Sequence, residues 1–173
     1  MDHLPEVTIP KVNSYTHIFE RAKAKTLNKP IRAALVGPND PDMLAALARA
    51  TADQLIEPVI IGERQSIERA LATQKINLTS ARIVDLTDTA ACVRRAVEMG
   101  SGGEIDLIIK GRIVTAELLS LLFATTQQFL KSDKTVSHVA VMKPQKYPKL
   151  LLLSDAGVTI QPDLKTKLNL VQN

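Results

Sequence analysis

Two rhythms of apolar and polar positions alternate along the chain. Short unbroken apolar runs recur in IRAALVG (31–37), EPVIIG (57–62), ARIVDL (81–86) and EIDLIIKG (104–111). Runs this short and continuous, closed by Gly, Pro or Asp, read as strands covered on both faces. Amphipathic stretches with helix-start signals lie between them. Ser14 is placed to cap a helix over 14–25, and Asp40 to cap one with Pro41 inside its first turn. A further helix is expected over 63–71. Asp88 opens the next, which runs to about Met99 and is closed by Gly100 and Gly102-Gly103. After the fourth strand, Val114 or Thr115 starts another. Four successive strand–helix units predict an α/β fold, a three-layer αβα arrangement around a mostly parallel sheet. Right-handed crossovers then place every strand-to-helix loop on one edge.

Beyond Asp133 the rhythm changes. Two β-rich runs, 137–142 and 149–154, are joined by Pro144–Pro148 with no helix between them, which predicts an antiparallel arm. Asp155-Ala156-Gly157 reads as a turn, and Pro162 opens a last helix that meets no stop signal before Asn173. The expected organisation is an αβα domain over 1–136, then a β arm and the first elements of a truncated second domain over 137–173.

Composition narrows this further. Hydrophobic residues make up 45% of the chain but aromatics only 3%, with no Trp, so the core must be aliphatic. The net charge of +4 is spread along the sequence without interleaved aromatics, which argues against a nucleic-acid partner. The single cysteine, Cys92, excludes an internal disulfide and reads as a packed thiol on a helix. No basic-then-apolar leader and no membrane-length apolar run is present, so a cytoplasmic protein with no membrane contact is expected. His3 and His17 lack metal-ligand spacing, and neither a metal nor a tightly bound cofactor is expected.

In open α/β sheets, ligands lie beyond the carboxyl ends of the strands. Four loops reach that edge: 37–40, 62–63, 87–89 and 110–115. Helix N-termini there favour anions. Lys110 adds a full charge, and Gly111 permits close approach to the backbone. Two readings of Lys110 stand side by side: a solvated side chain at a strand end, or a cation facing an anionic ligand. No loop matches GxGxxG or GxxxxGK[ST], which weighs against a dinucleotide or P-loop site. Ser137-His138 and Ser154-Asp155 bracket the arm. Ser137 is not in a GxSxG elbow, so a serine triad is disfavoured, and Ser154 with Asp155 reads as a turn-forming pair leading into Gly157.

The order of three stretches, DLIIKGRIVTAELL, SHVAVM and YPKLLLLSDAGVTIQPDLKTKLNLVQN, resembles the phosphate acetyl/butyryl transferase family over about residues 14–173. HIFERAK followed by IRAALVGPND is similar to the transferase portion of proteins fused to an enoyl-CoA hydratase-like domain. The resemblance implies a fold like that of isocitrate and isopropylmalate dehydrogenases, with a first domain completed by a C-terminal return segment. It implies acyl exchange between coenzyme A and phosphate, with coenzyme A, acyl phosphate and inorganic phosphate as ligands and a homodimer as the assembly. Lys110, Gly111 and Thr115 match the family's Lys-Gly loop. Ser137 matches the start of the linking arm, and Ser154 with Asp155 a strand-end motif, whereas Thr159 stands where Asn is common. Lys131 and Lys134 stand where relatives often carry Arg. The family's catalytic Ser, Arg and Asp lie near its C-terminal end and have no counterparts in this chain. No catalytic residue is therefore assigned, and the isolated chain is expected to be inactive and to expose apolar surface. The alternative is a non-catalytic module of the same fold that binds coenzyme A or acyl phosphate, or associates with another subunit.

Overall fold

The computed structural model describes residues 12–38, 40–126, 136–155 and 157–172. The expectations for His3, Lys131, Lys134 and Ala156 lie outside the described residues. The chain divides into two compact units, one of residues 22–131 and one of 1–21 with 132–173.

The first unit holds the parallel sheet. Its strands are β1 (Ile31–Val36), β2 (Ile56–Gly62), β3 (Arg82–Asp85) and β4 (Leu107–Lys110). They lie in the order β3-β2-β1-β4, every pair parallel. Helix α1 (Tyr15–Thr26) precedes β1, and its first seven residues fall in the other unit. Helices α2 (Pro41–Ala52), α3 (Arg64–Gln74), α4 (Thr89–Ser101) and α5 (Thr115–Thr126) follow the four strands in turn.

Strand side chains alternate between two cores, as the two-residue period requires. Leu35 and Ile60 face α2 and α3 through Leu44, Leu47 and Ile67. Ala34, Val36, Val59 and Ile61 face the opposite layer, α4 and α5, through Val93, Ala96, Met99 and Leu118. This is the three-layer arrangement expected. Each fully buried aliphatic side chain of this kind stabilises the fold by about 1.5–3 kcal/mol, and Leu35, Ile60, Ile61 and Val93 are all 0% exposed.

Local chemistry sets the helix ends. Asp40 accepts the Asp42 N–H (3.0 Å) with Pro41 in the first turn, and Asp88 accepts from Ala91 (2.7 Å). Ser14 Oγ accepts from His17 (3.2 Å).

The other unit contains an antiparallel pair, β5 (Ala140–Met142) and β6 (Leu151–Leu153), with Val141 opposite Leu152. Tyr15 donates its hydroxyl proton to the Val141 carbonyl (3.0 Å). Helix α6 (Leu164–Gln172) is capped by Asp163, which accepts from Thr166 (2.8 Å). Apolar side chains stand exposed along this unit, among them Val139, Met142, Leu152 and Leu153.

Candidate functional site

The carboxyl edge of the parallel sheet is built on three glycines, each needed by a neighbour. Gly111 follows β4 and lies against the end of β1. Its N–H donates to the Val36 carbonyl (2.8 Å), and Arg112 N–H donates to the Gly37 carbonyl (2.8 Å). A Cβ on Gly111 would sit 2.0 Å from the Gly37 oxygen. Gly37 itself has φ +70° and lies against Ile113, while Gly62 lies against Pro38. The close approach at Gly111 is thus made by a backbone carbonyl of the same sheet edge.

Lys110 ends β4 with its backbone in register with Val36. Its ammonium curls over the following loop and donates to the carbonyls of Ile113 (3.0 Å) and Gly111 (3.3 Å). One of its three protons is left for another acceptor. The residue is exposed, as are Arg112 and Thr115. The sequence offered a solvated lysine or an anion-facing one; the side chain is first a tie across its own loop.

Electrostatics at this edge are not uniform. Helix N-termini carry unpaired N–H groups and partial positive charge, yet three of the four are answered by carboxylates. Asp40 and Asp88 cap α2 and α4. Asp85, at the end of β3, accepts the Arg64 N–H at the start of α3 (2.9 Å), and Glu63 accepts from the Ser66 hydroxyl. At α5 the Val114 carbonyl accepts from Leu118 (3.0 Å). Among the described residues no carboxylate accepts from its first turn. Lys110 and Arg112 bring positive charge to the passage from β4 into α5, and Glu117 in the first turn of α5 partly offsets it.

A recess of about 190 Å³ opens at the same edge between Pro38, Leu86, Thr87 and Ile113, with Cys92 in its wall. Cys92 is 4% exposed, its thiol contacts the Leu86 carbonyl (3.5 Å), and burial pushes its pKa up. It is a packed, protonated thiol, not a nucleophile. Among the described residues no group of three or more His, Cys, Asp or Glu is arranged to hold a metal ion. No described helix is long and apolar enough to cross a membrane.

In the second unit, Ser137 is half-buried just before β5, and Ser154 is exposed just after β6. Asp155 is half-buried and works as an anchor. Its Oδ1 accepts from Gly157 (2.8 Å) and Val158 (2.9 Å), and its Oδ2 from His138 (3.2 Å). One carboxylate thereby ties the entry of β5 to the turn after β6, the turn-forming role its sequence context suggested. Those N–H donors, Gly157 first and then Val158, lower its pKa from 3.8 to about 2. A depressed pKa contributes stability that is complete above the unfolded value and lost as pH falls through the folded one. The Gly157 and Val158 amide resonances should therefore titrate together with a midpoint at about pH 2, and the anchor should weaken between about pH 4 and pH 2. Asp155→Asn should abolish that titration. A midpoint at about pH 4 in the unmodified chain would show that the anchor is absent.

Beside Asp155, between β6 and α6, runs a groove of about 770 Å³ walled by Val139, Leu152, Leu170 and Val171, with Ser154 and Lys167 on it. Sequence reasoning missed this feature, although the four-residue spacing of Lys167 and Val171 in a helix starting at Leu164 could have suggested it.

No family model matches the chain. Known proteins do. The phosphate acetyltransferase of Rickettsia typhi is 30% identical over 163 residues, covering 90% of this chain and 46% of that protein. That of Thermotoga maritima is 31% identical over 156 residues, covering 90% and 51%. The phosphate butyryltransferase of Clostridium acetobutylicum is 27% identical over 162 residues, covering 94% and 52%. Among solved structures, a branched-chain phosphotransacylase from Enterococcus faecalis superposes with a TM-score of 0.60 at 25% identity, over 83% of this chain and 49% of that one. The EutD phosphotransacetylase from Staphylococcus aureus, at 13% identity and a TM-score of 0.64, covers 88% and 53% and shows the same fold. The chain spans about half the length of these relatives. It resembles a partial phosphotransacylase region.

Proposed function

We propose that the chain belongs to a phosphate acyltransferase that exchanges an acyl group between coenzyme A and phosphate. The observation that supports this most is the alignment of nearly the whole chain with phosphate acetyl- and butyryltransferases. In this reading the chain comprises an αβα domain over 1–136 and a β arm over 137–173. Lys110, Thr115 and the free N–H groups at the start of α5 hold a phosphate oxygen, whether of inorganic phosphate or of coenzyme A. Gly111 keeps that loop seated. Ser137, Ser154 and Asp155 are the substrate-binding candidates of the arm. In the exchange, the coenzyme A thiol gives its proton to a base, a role to which no residue of this chain is assigned, and attacks the acyl-phosphate carbonyl. The carbonyl reforms as the C–O bond to phosphate breaks, and inorganic phosphate leaves. Cations and N–H donors favour this step by answering charge on the carbonyl oxygen and the departing phosphate.

A second reading draws on a different observation. The Asp155 carboxylate is engaged by backbone donors, and the Lys110 ammonium spends two protons on its own loop. Side chains so occupied suit a module that binds coenzyme A or acyl phosphate without turning it over. Calorimetric titration with coenzyme A and with acetyl phosphate, paired with an assay for phosphate-dependent acyl-coenzyme A formation, separates the two. Turnover supports the enzyme; because the 173-residue chain is expected to be inactive on either reading, binding without turnover supports the module only where a longer form of the protein is inactive as well. Lys110→Met should weaken phosphate-ligand binding by about tenfold, as expected for a charge-assisted hydrogen bond. Absence of both binding and turnover would sink the assignment. Homodimer assembly and a cytoplasmic location belong to the same proposal.

A further inference from the structure

We infer that the turn joining β5 to β6 binds a nucleoside diphosphate moiety, an aromatic base carrying two linked phosphates. The moiety comes either from a free nucleotide or from the nucleotide end of coenzyme A. Only the second source rests on the acyl-transfer reading above; the site itself stands on the chemistry of the turn.

The sequence gives this turn charge of one sign. Between Asp133 and Asp155 the chain has four lysines and no acidic residue. Three of them, Lys143, Lys146 and Lys149, lie between Met142 and Leu151, the pair that ends the β5–β6 ladder. All three are exposed, and among the described residues no carboxylate pairs with them. Elsewhere cations are answered: Lys23 by Asp53, Arg32 by Asp106, and Arg82 with Arg95 by Glu104. Like charges gathered on one short turn repel one another, and a ligand with more than one negative charge relieves that repulsion.

The turn also presents an aromatic ring. Of the two tyrosines in the chain, Tyr15 has a structural task, its hydroxyl donating to the Val141 carbonyl (3.0 Å). Tyr147 is tied through its backbone, whose N–H donates to the Pro144 carbonyl (3.3 Å), and it stands 45% exposed. Pro144 and Pro148 restrict the backbone on either side. A ring held on so stiff a support loses little freedom when a base stacks on it.

Charge and ring meet at one concavity. Residues 143–148 line a hollow of about 510 Å³, within the range of about 300–1,000 Å³ usual for small-molecule sites. Lys143 and Lys146 bring two ammonium groups to it, beside Tyr147 and the Gln145 amide. A base stacked on Tyr147 with phosphate oxygens on the lysines uses both kinds of group, and a glutamine amide can pair with N6 and N7 of adenine. A simple anion would leave the ring and the amide idle. A single strand of nucleic acid needs successive aromatic platforms, and this turn has one ring. The recess at the sheet edge, at about 190 Å³ with Glu63 in its wall, offers neither the volume nor the charge.

The test is titration of the 173-residue chain with ADP, coenzyme A, pantetheine and inorganic pyrophosphate, followed by the Tyr147 ring protons and the Lys146 and Tyr147 amides in nuclear magnetic resonance. ADP should move the ring protons upfield and bind about tenfold tighter than pyrophosphate. Tyr147→Ala should weaken ADP by about tenfold and leave pyrophosphate unchanged, whereas Tyr147→Phe, which keeps the ring, should bind ADP as the parent does. Joint replacement Lys143→Met and Lys146→Met should weaken both ligands and flatten the dependence of ADP binding on salt. Coenzyme A moving the same resonances, with pantetheine silent, supports the site with coenzyme A as a source. ADP moving them while coenzyme A does not supports it with free nucleotide as the source. Neither result bears on acyl transfer, which acyl-coenzyme A formation decides separately. Equal affinities for ADP and pyrophosphate, or a Tyr147 ring unmoved by both ADP and coenzyme A, would overturn the inference. So would an oligodeoxyadenylate that binds the turn more than about tenfold tighter than ADP, since the ligand would then be a strand.

Discussion

Gly111→Ala is expected to destabilise the sheet unit by about 3 kcal/mol or more, the upper end of the overpacking range. The added Cβ would stand 2.0 Å from the Gly37 carbonyl oxygen and 2.8 Å from that of Val36. Both are backbone atoms fixed by strand pairing, so no side-chain rotation relieves the clash. To make room, the β4–α5 loop must lift away from β1. That breaks the Gly111–Val36 and Arg112–Gly37 hydrogen bonds and carries Lys110 with it. The same replacement at Gly100 should act in the opposite direction. Gly100 lies inside α4, with Ile105 Cγ1 at 3.9 Å as its nearest neighbour, and alanine in a helix is favoured over glycine by up to about 1 kcal/mol. Urea unfolding of the two variants checks the pair. A Gly111→Ala chain as stable as the parent would mean that β1 and β4 do not meet as described.

The two central strands were legible because a strand covered on both faces leaves an apolar run, as AALV and PVIIG do, whereas β3 and β4 lie at the sheet edges with exposed ends. Helix starts at Asp40 and Asp88 were legible because the cap bonds an N–H within three residues of itself. Several of the misses arise because the deciding partner lies far along the chain. The fourth strand was expected over 104–111 but pairs only from Leu107 to Lys110. Glu104 is drawn elsewhere, its N–H bonding the Met99 carbonyl (2.7 Å) at the end of α4, whereas Asp106 holds to β1 through Arg32, giving its N–H to that carbonyl (2.8 Å) and its carboxylate to the guanidinium (2.9 Å to Nε). The start of α3 is served by Asp85, twenty-one residues away, and not by the adjacent Glu63. Glycine 111 was legible as a place of close approach, whereas the identity of what approaches was not, since Gly37 lies in another strand–helix unit. Lys110 could not be decided from its neighbours alone, because the same side chain serves either a solvated rim or an anion. Its bonds to two loop carbonyls appear only once the loop has its shape.

The two units should respond to very different degrees to the same kind of truncation. Ile60→Ala removes a side chain that is 0% exposed at the centre of the sheet, packed between Leu35, Leu44 and Ile67. Buried aliphatic residues cut to alanine typically cost about 2–5 kcal/mol, since the lost burial is compounded by a cavity that neighbours only partly fill. Against a domain stability of about 5–15 kcal/mol, that is a large share. Leu152→Ala removes a side chain that is 75% exposed on β6, where little burial exists to lose. Its effect on stability should stay within about 0.5 kcal/mol. Thermal unfolding of each variant, read by far-ultraviolet circular dichroism at two protein concentrations, distinguishes the reasons behind these numbers. Ile60→Ala should lower the midpoint equally at both concentrations, because its partners lie within one unit. If Leu152→Ala lowers the midpoint by a comparable amount, and more so at the higher concentration, the exposed face of β6 is buried in an assembly. The leucine run of β6 would then be a packing surface between chains and not a solvated face.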